Sequence, residues 1–109
     1  ASLLTCLSND FGYEHAYEKA LERLAAEGDI LIAISSSGRS PNILNAVEVA
    51  RTSGMSVVTC SGFDADNPLR RMGRTNFYVP SHNYPVVEAV HMAILDAVLQ
   101  ASIQARGGL

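Results

Sequence analysis

Five consecutive apolar residues, Ile30-Leu31-Ile32-Ala33-Ile34, run directly into Ser35-Ser36-Ser37-Gly38-Arg39-Ser40-Pro41. No other stretch restricts the fold as much. A short, largely β-branched apolar run fits a parallel strand covered on both faces. Ser40-Pro41 reads as a helix start, with a hydroxyl at the N-cap and proline at N1, where the missing N–H is no loss. Gly38 allows a tight turn and a close approach of the backbone to a ligand. The turn therefore gathers Ser35, Ser36, Ser37 and Ser40, with free backbone N–H groups, at a helix N-terminus. That is a site for an anion, most simply a phosphate. Capping needs one hydroxyl, and this turn supplies four. The Lys-Ser/Thr pair of a Walker A loop is absent, as is the G-x-G-x-x-G of dinucleotide folds.

The flanking sequence repeats the strand–helix alternation. Residues 3–7 read as a strand, and Asn9-Asp10-Phe11-Gly12 as the turn at its carboxyl end. A helix is expected over 14–27, with Tyr17, Leu21 and Leu24 on one face and Gly28 as its stop. A second helix is expected over 41–53, with Ile43, Val47 and Ala50 toward the sheet. Strands follow at 56–60 and 76–79, separated by a loop and a short helical turn at 69–72. An apolar helix over 85–105 closes the chain. This spacing predicts a doubly wound, mainly parallel α/β sheet, whose ligands bind beyond the carboxyl ends of the strands. The turns at Asn9-Asp10 and Ser35 to Ser40 share that edge.

The totals narrow the function classes. With 109 residues there is one domain and one core. A formal net charge of −3 argues against a general nucleic-acid binder. No apolar run is read as a membrane span and no signal peptide is visible, so a cytoplasmic protein is expected, with no membrane partner. Cys6 and Cys60 lie in apolar strand-like runs and read as reduced, buried thiols.

Asn9-Asp10-Phe11-Gly12, Gly28-Asp29-Ile30-Leu31, Ile34-Ser35-Ser36-Ser37-Gly38-Arg39-Ser40 and Glu88-Ala89-Val90-His91 occur in an order that resembles a sugar isomerase (SIS) domain of the phosphoheptose isomerase family. The resemblance covers nearly the whole chain, read as the C-terminal portion of an SIS domain spanning 1–109. It implies a flavodoxin-like fold, a homotetramer, and conversion of sedoheptulose 7-phosphate, or a similar ketose phosphate, to the aldose phosphate. It implies that Ser35, Ser36, Ser37 and Ser40 hold the phosphate and that Asn9 and Asp10 contact the sugar. It also implies that the family's active-site Gln and His positions are Glu88 and Asp96 here. No cofactor is required; zinc, which members often bind, would fall to Glu88 and Asp96. The family's first strand, its N-terminal helices and its catalytic Glu would precede Ala1, so upstream residues or a covering partner chain are expected. Pro85 stands where the family commonly has a polar residue.

Aldose–ketose isomerisation needs a base for a carbon-bound proton and an acid for the sugar oxygen. Glu88 and Asp96 lie about 12 Å apart along a helix and roughly 80° around it, so one side can carry both. His91 reads as a packed or interface histidine. Arg39 either adds charge to the anion site or is solvated. The alternative to an isomerase is a non-catalytic SIS module that binds a phosphosugar or a protein partner, similar to bacterial SIS proteins that associate with the replication initiator.

Overall fold

A computed structural model of the chain describes residues 12–107. The expected strand over 3–7, Cys6 and the Asn9-Asp10 turn lie outside them.

A 3-10 turn, Tyr13–His15, leads into helix α1, Ala16–Leu24. The helix stops three residues short of the expected end. Asp29 is the reason: its Oδ2 accepts the Ala26 N–H at 2.9 Å, and the Asp29 N–H bonds back to the Ala26 carbonyl at 3.1 Å. The side chain thus draws the Ala26 amide out of the helical ladder. Strand β1 is Ile30–Ile34, helix α2 is Pro41–Thr52 and strand β2 is Ser56–Ser61. A 3-10 turn, Pro68–Arg71, starts on Asn67, whose side chain accepts the Arg70 N–H. Strand β3 is Thr75–Tyr78, and helix α3, Tyr84–Ala105, is capped by Asn83 accepting from the Val86 N–H.

The three strands form one parallel sheet in the order β1-β2-β3. Register pairs Leu31 with Val57 and Ala33 with Thr59. Helix α2 packs on this face with Ile43, Val47 and Ala50, the side expected from its spacing. Ala33, Val47, Ala50, Val57 and Leu69 make the core, with Leu31, Leu44, Met55 and Met72 against it. Leu69 is fully buried, and such a side chain contributes roughly 1.5–3 kcal/mol.

Two expectations are corrected. Strand β1 is not covered on both faces by the described residues: Ile30, Ile32 and Ile34 are 66%, 45% and 40% exposed. No described strand pairs with its outer edge. Helix α3 is also long and apolar enough to cross a membrane by length and composition, although it carries Glu88, His91 and Asp96. Its buried residues are Val87 and His91. Cys60 is buried and free, and burial pushes its thiol pKa up.

Candidate functional site

The ladder between β1 and β2 continues one step beyond β1, where the Ser35 N–H bonds the Cys60 carbonyl at 3.0 Å. The chain then turns. Ser35 Oγ donates to Ser40 Oγ at 3.0 Å, accepts the Gly38 N–H at 3.1 Å, and lies 3.5 Å from Ser37 Oγ. Ser37 Oγ accepts the Arg39 N–H at 3.2 Å. Ser40 is the N-cap residue of α2 by its backbone angles, yet its hydroxyl makes no capping bond. The Ser35 hydroxyl holds it in the turn instead. The amides of Gly38 and Arg39 are engaged, while those of Ser36, Ser37 and Ser40 have no protein acceptor among the described residues.

Gly38 makes the expected tight turn, its N–H bonding the Ser35 carbonyl at 3.0 Å. Its φ is +67°, and a Cβ there would lie 1.9 Å from Asn67 Oδ1. The backbone here approaches the Asn67 side chain closely. Asn67 is 1% exposed; its Nδ2 donates to the carbonyls of Gly62 and Asp64 and to Ser61 Oγ. It locks the loop after β2 against the serine turn.

Helix α3 brings a second wall. Tyr84, Glu88 and His91, spaced four and three residues apart, fall on one side of the helix. With Met92, Phe63 and Ile34 they close a cavity of about 370 Å³ that also contains Ser35, Ser36, Ser37 and Ser40. Glu88 is exposed. The Glu88 carboxylate beside the Tyr84 hydroxyl pushes the tyrosine pKa up, and nearby Ser36 opposes this. His91 is 1% exposed, and its Nε2 bonds the Ser61 carbonyl at 2.8 Å.

The remaining wall is under backbone strain. Phe63 has φ 58°, a region bulky side chains rarely adopt. Its N–H bonds the Ser81 carbonyl at 3.0 Å, and its carbonyl accepts the Tyr78 hydroxyl at 2.6 Å. The ring stacks on His82 with centroids 5.7 Å apart and tilts against Tyr84 at 6.2 Å. Beside it, Asp64 Oδ1 lies 2.9 Å from His82 Nε2, and Arg39 reaches Asp66 at 3.3 Å and Asp64 at 3.8 Å. The His82 hydrogen bond, then the charges of His82 and Arg39, hold the Asp64 pKa below its ordinary value. Arg39 thus faces aspartates, with half of its side chain exposed.

The structure brings Ser35, Ser36, Ser37, Ser40 and Glu88 together. Asp96 is exposed and does not line the cavity, and Asn9 and Asp10 lie outside the described residues. Tyr84, Phe63, His91 and Met92 join the site without being expected there from the sequence; the spacing of Tyr84, Glu88 and His91 is the signal that could have found three of its residues. Zinc does not fit the donors that the described residues bring together. Among the described residues no three His, Cys, Asp or Glu side chains cluster, and the cavity offers only Glu88 and His91, short of a zinc set.

Comparisons with known proteins agree with this architecture. The model of the family described as "SIS domain" matches residues 1–62. The chain is 37% identical over 99 residues to the phosphoheptose isomerase of Fusobacterium nucleatum subsp. nucleatum, covering 91% of this chain and 50% of that one. It is 38% identical over 100 residues to that of Photorhabdus laumondii subsp. laumondii, covering 91% and 51%. Among solved structures, phosphoheptose isomerase GmhA from Neisseria gonorrhoeae superposes with a TM-score of 0.80 at 30% identity, covering 89% of this chain and 54% of that chain. One from Francisella tularensis gives 0.78 at 32% identity, covering 88% and 51%. The chain spans about half the length of these relatives. The chain belongs to the SIS domain family.

Proposed function

We propose that the chain binds a phosphorylated sugar, with its phosphate at Ser35, Ser36, Ser37 and Ser40 and its hydroxylated carbons toward α3. In this reading it supplies that site to an aldose–ketose isomerase acting on sedoheptulose 7-phosphate or a similar ketose phosphate. The supporting observation is the meeting of the serine turn and Glu88 in one cavity. The amides and hydroxyls of the turn donate to phosphate oxygens at the start of α2. We assign Glu88 as the carboxylate that exchanges a proton with the sugar, with the Tyr84 hydroxyl lining the cavity beside it. Asn9 and Asp10 are assigned to the sugar by family resemblance, and Asp96 receives no role at this cavity. The exposed apolar side chains of α3 support assembly into a homo-oligomer, as the tetramer implied by the family would require. A phosphosugar ligand and a free Cys60 fit the cytoplasm.

A second reading has one observation in its favour: the cavity contains a single carboxylate where the family resemblance places two functional side chains on the last helix. A non-catalytic phosphosugar-binding module needs only the serine turn. Both readings are tested by measuring binding and turnover of sedoheptulose 7-phosphate together. The isomerase reading expects both; binding without turnover selects the module. Replacing Ser35 and Ser37 by Ala removes hydrogen bonds to a charged group, each worth roughly 1.5–3 kcal/mol, and unchanged affinity in that variant rejects the phosphate site.

A further inference from the structure

Isomerisation needs two groups at the sugar, one that takes a proton from carbon and one that offers a hydrogen to the neighbouring oxygen. The cavity holds Glu88 for the first, whereas Asp96, expected for the second, does not line it. Tyr84 lines the cavity one turn before Glu88, on the same side of α3.

Three neighbours show where the Tyr84 side chain stands. Its ring tilts against the Phe63 ring at 59°, with centroids 6.2 Å apart. Its hydroxyl lies beside the Glu88 carboxylate, with Ser36 nearby. Phe63, Glu88 and Ser36 belong to the loop after β2, to α3 and to the serine turn, and all three line the cavity. A side chain with neighbours on three walls of a cavity stands inside it. It is also open to a ligand, since Tyr84 is 56% exposed. Its backbone is held at the start of α3, where the Asn83 side chain accepts the Val86 N–H.

The chemistry of that position follows from its surroundings. Negative charge beside a phenol resists ionisation, and Glu88 pushes the Tyr84 pKa above its ordinary value. The hydroxyl therefore keeps its hydrogen at neutral pH and is a donor. Phosphate and carboxylate repel each other, so a phosphate on the serine turn leaves the carbon chain toward Glu88. The ligand oxygen nearest Glu88 is then a sugar oxygen.

We propose that the Tyr84 hydroxyl donates a hydrogen bond to a sugar oxygen of the bound ligand beside Glu88, in the place that the family resemblance gives to Asp96. This rests on the phosphosugar site proposed above and names the donor that holds its sugar end. The contact recognises the ligand whether or not the chain turns it over.

The test compares Tyr84→Phe with Asp96→Asn in the full chain. Tyr84→Phe deletes one oxygen from an exposed residue and keeps the ring beside Phe63. Affinities for sedoheptulose 7-phosphate and for inorganic phosphate are measured by calorimetry on wild type and both variants. Tyr84→Phe is expected to weaken the sugar phosphate about tenfold, the size of one hydrogen bond, and to leave inorganic phosphate unchanged. Asp96→Asn is expected to bind both ligands as wild type does. Unchanged sugar-phosphate affinity in Tyr84→Phe overturns the proposal. So does an equal loss for both ligands, the mark of a disturbed cavity rather than a lost contact, and so does a loss in Asp96→Asn. Wild-type protein that binds neither ligand, or inorganic phosphate alone, rejects the phosphosugar site itself and this inference with it, a failure visible without a variant.

Discussion

Gly38 and Gly28 both hold positive φ, +67° and +90°, but they differ in what surrounds them. A Cβ at Gly28 meets nothing within 4 Å, whereas one at Gly38 meets Asn67. Gly28→Ala should therefore lose only the left-handed penalty, about 1–2 kcal/mol. Gly38→Ala should lose more, because Asn67 must also give up bonds worth about 0.5–1.5 kcal/mol each. Urea unfolding of the two variants measures the difference, and equal losses would show that Asn67 does not brace the turn. Asp64 gives a pH prediction. Its pKa is lowered on folding, chiefly by the His82 hydrogen bond, so its contribution is present above 3.8 and is lost as pH falls below that value. Asp64→Asn should flatten the stability curve in this acid range; identical curves would contradict the pairing. At this scale the serines are legible in the sequence because they are nearly contiguous and their chemistry is local. The contact of Gly38 with Asn67 and the bonds of Phe63 and His91 are not, because each depends on a residue far along the chain: Asn67, Ser81 and Ser61.

Strand β1 and helices α2 and α3 fall within one residue of their expected bounds, since β-branched runs, Ser-Pro and helical apolar spacing are local signals. Helix α1 is shorter because one side chain, Asp29, competes for a backbone amide, which composition does not reveal. The environment of β1 departs from expectation for a related reason. Five apolar residues say that the strand is buried but not by what, and the described residues cover one of its faces. Helix α3 poses the same question, with Val98 and Leu99 41% and 57% exposed. Under the proposed homo-oligomer these side chains are covered by further copies of the chain. Val98→Lys and Leu99→Lys should then shift sedimentation toward smaller species while leaving helix content intact. A wild-type monomer, or wild-type protein that pellets with lipid vesicles instead of assembling, would contradict that assignment of the α3 face.

For the whole molecule, the fold places the serine turn and a carboxylate-bearing helix on either side of one cavity at the carboxyl edge of a parallel sheet. A competing location exists. Arg51, Arg71 and Arg74 line a separate polar cavity of about 450 Å³ with Ser56, the first residue of β2, and so lie at the amino-terminal edge of the strands. Simple charge attraction would draw an anion there, whereas binding at Ser35 to Ser40 relies on oriented amides and hydroxyls. Titrating inorganic phosphate into 15N-labelled full chain separates the two directly. The largest amide shifts should fall on Ser36, Ser37 and Ser40, and should vanish when Ser35 and Ser37 are both replaced by Ala. Shifts centred on Arg71 to Arg74, with the serine turn unmoved, would contradict the central claim.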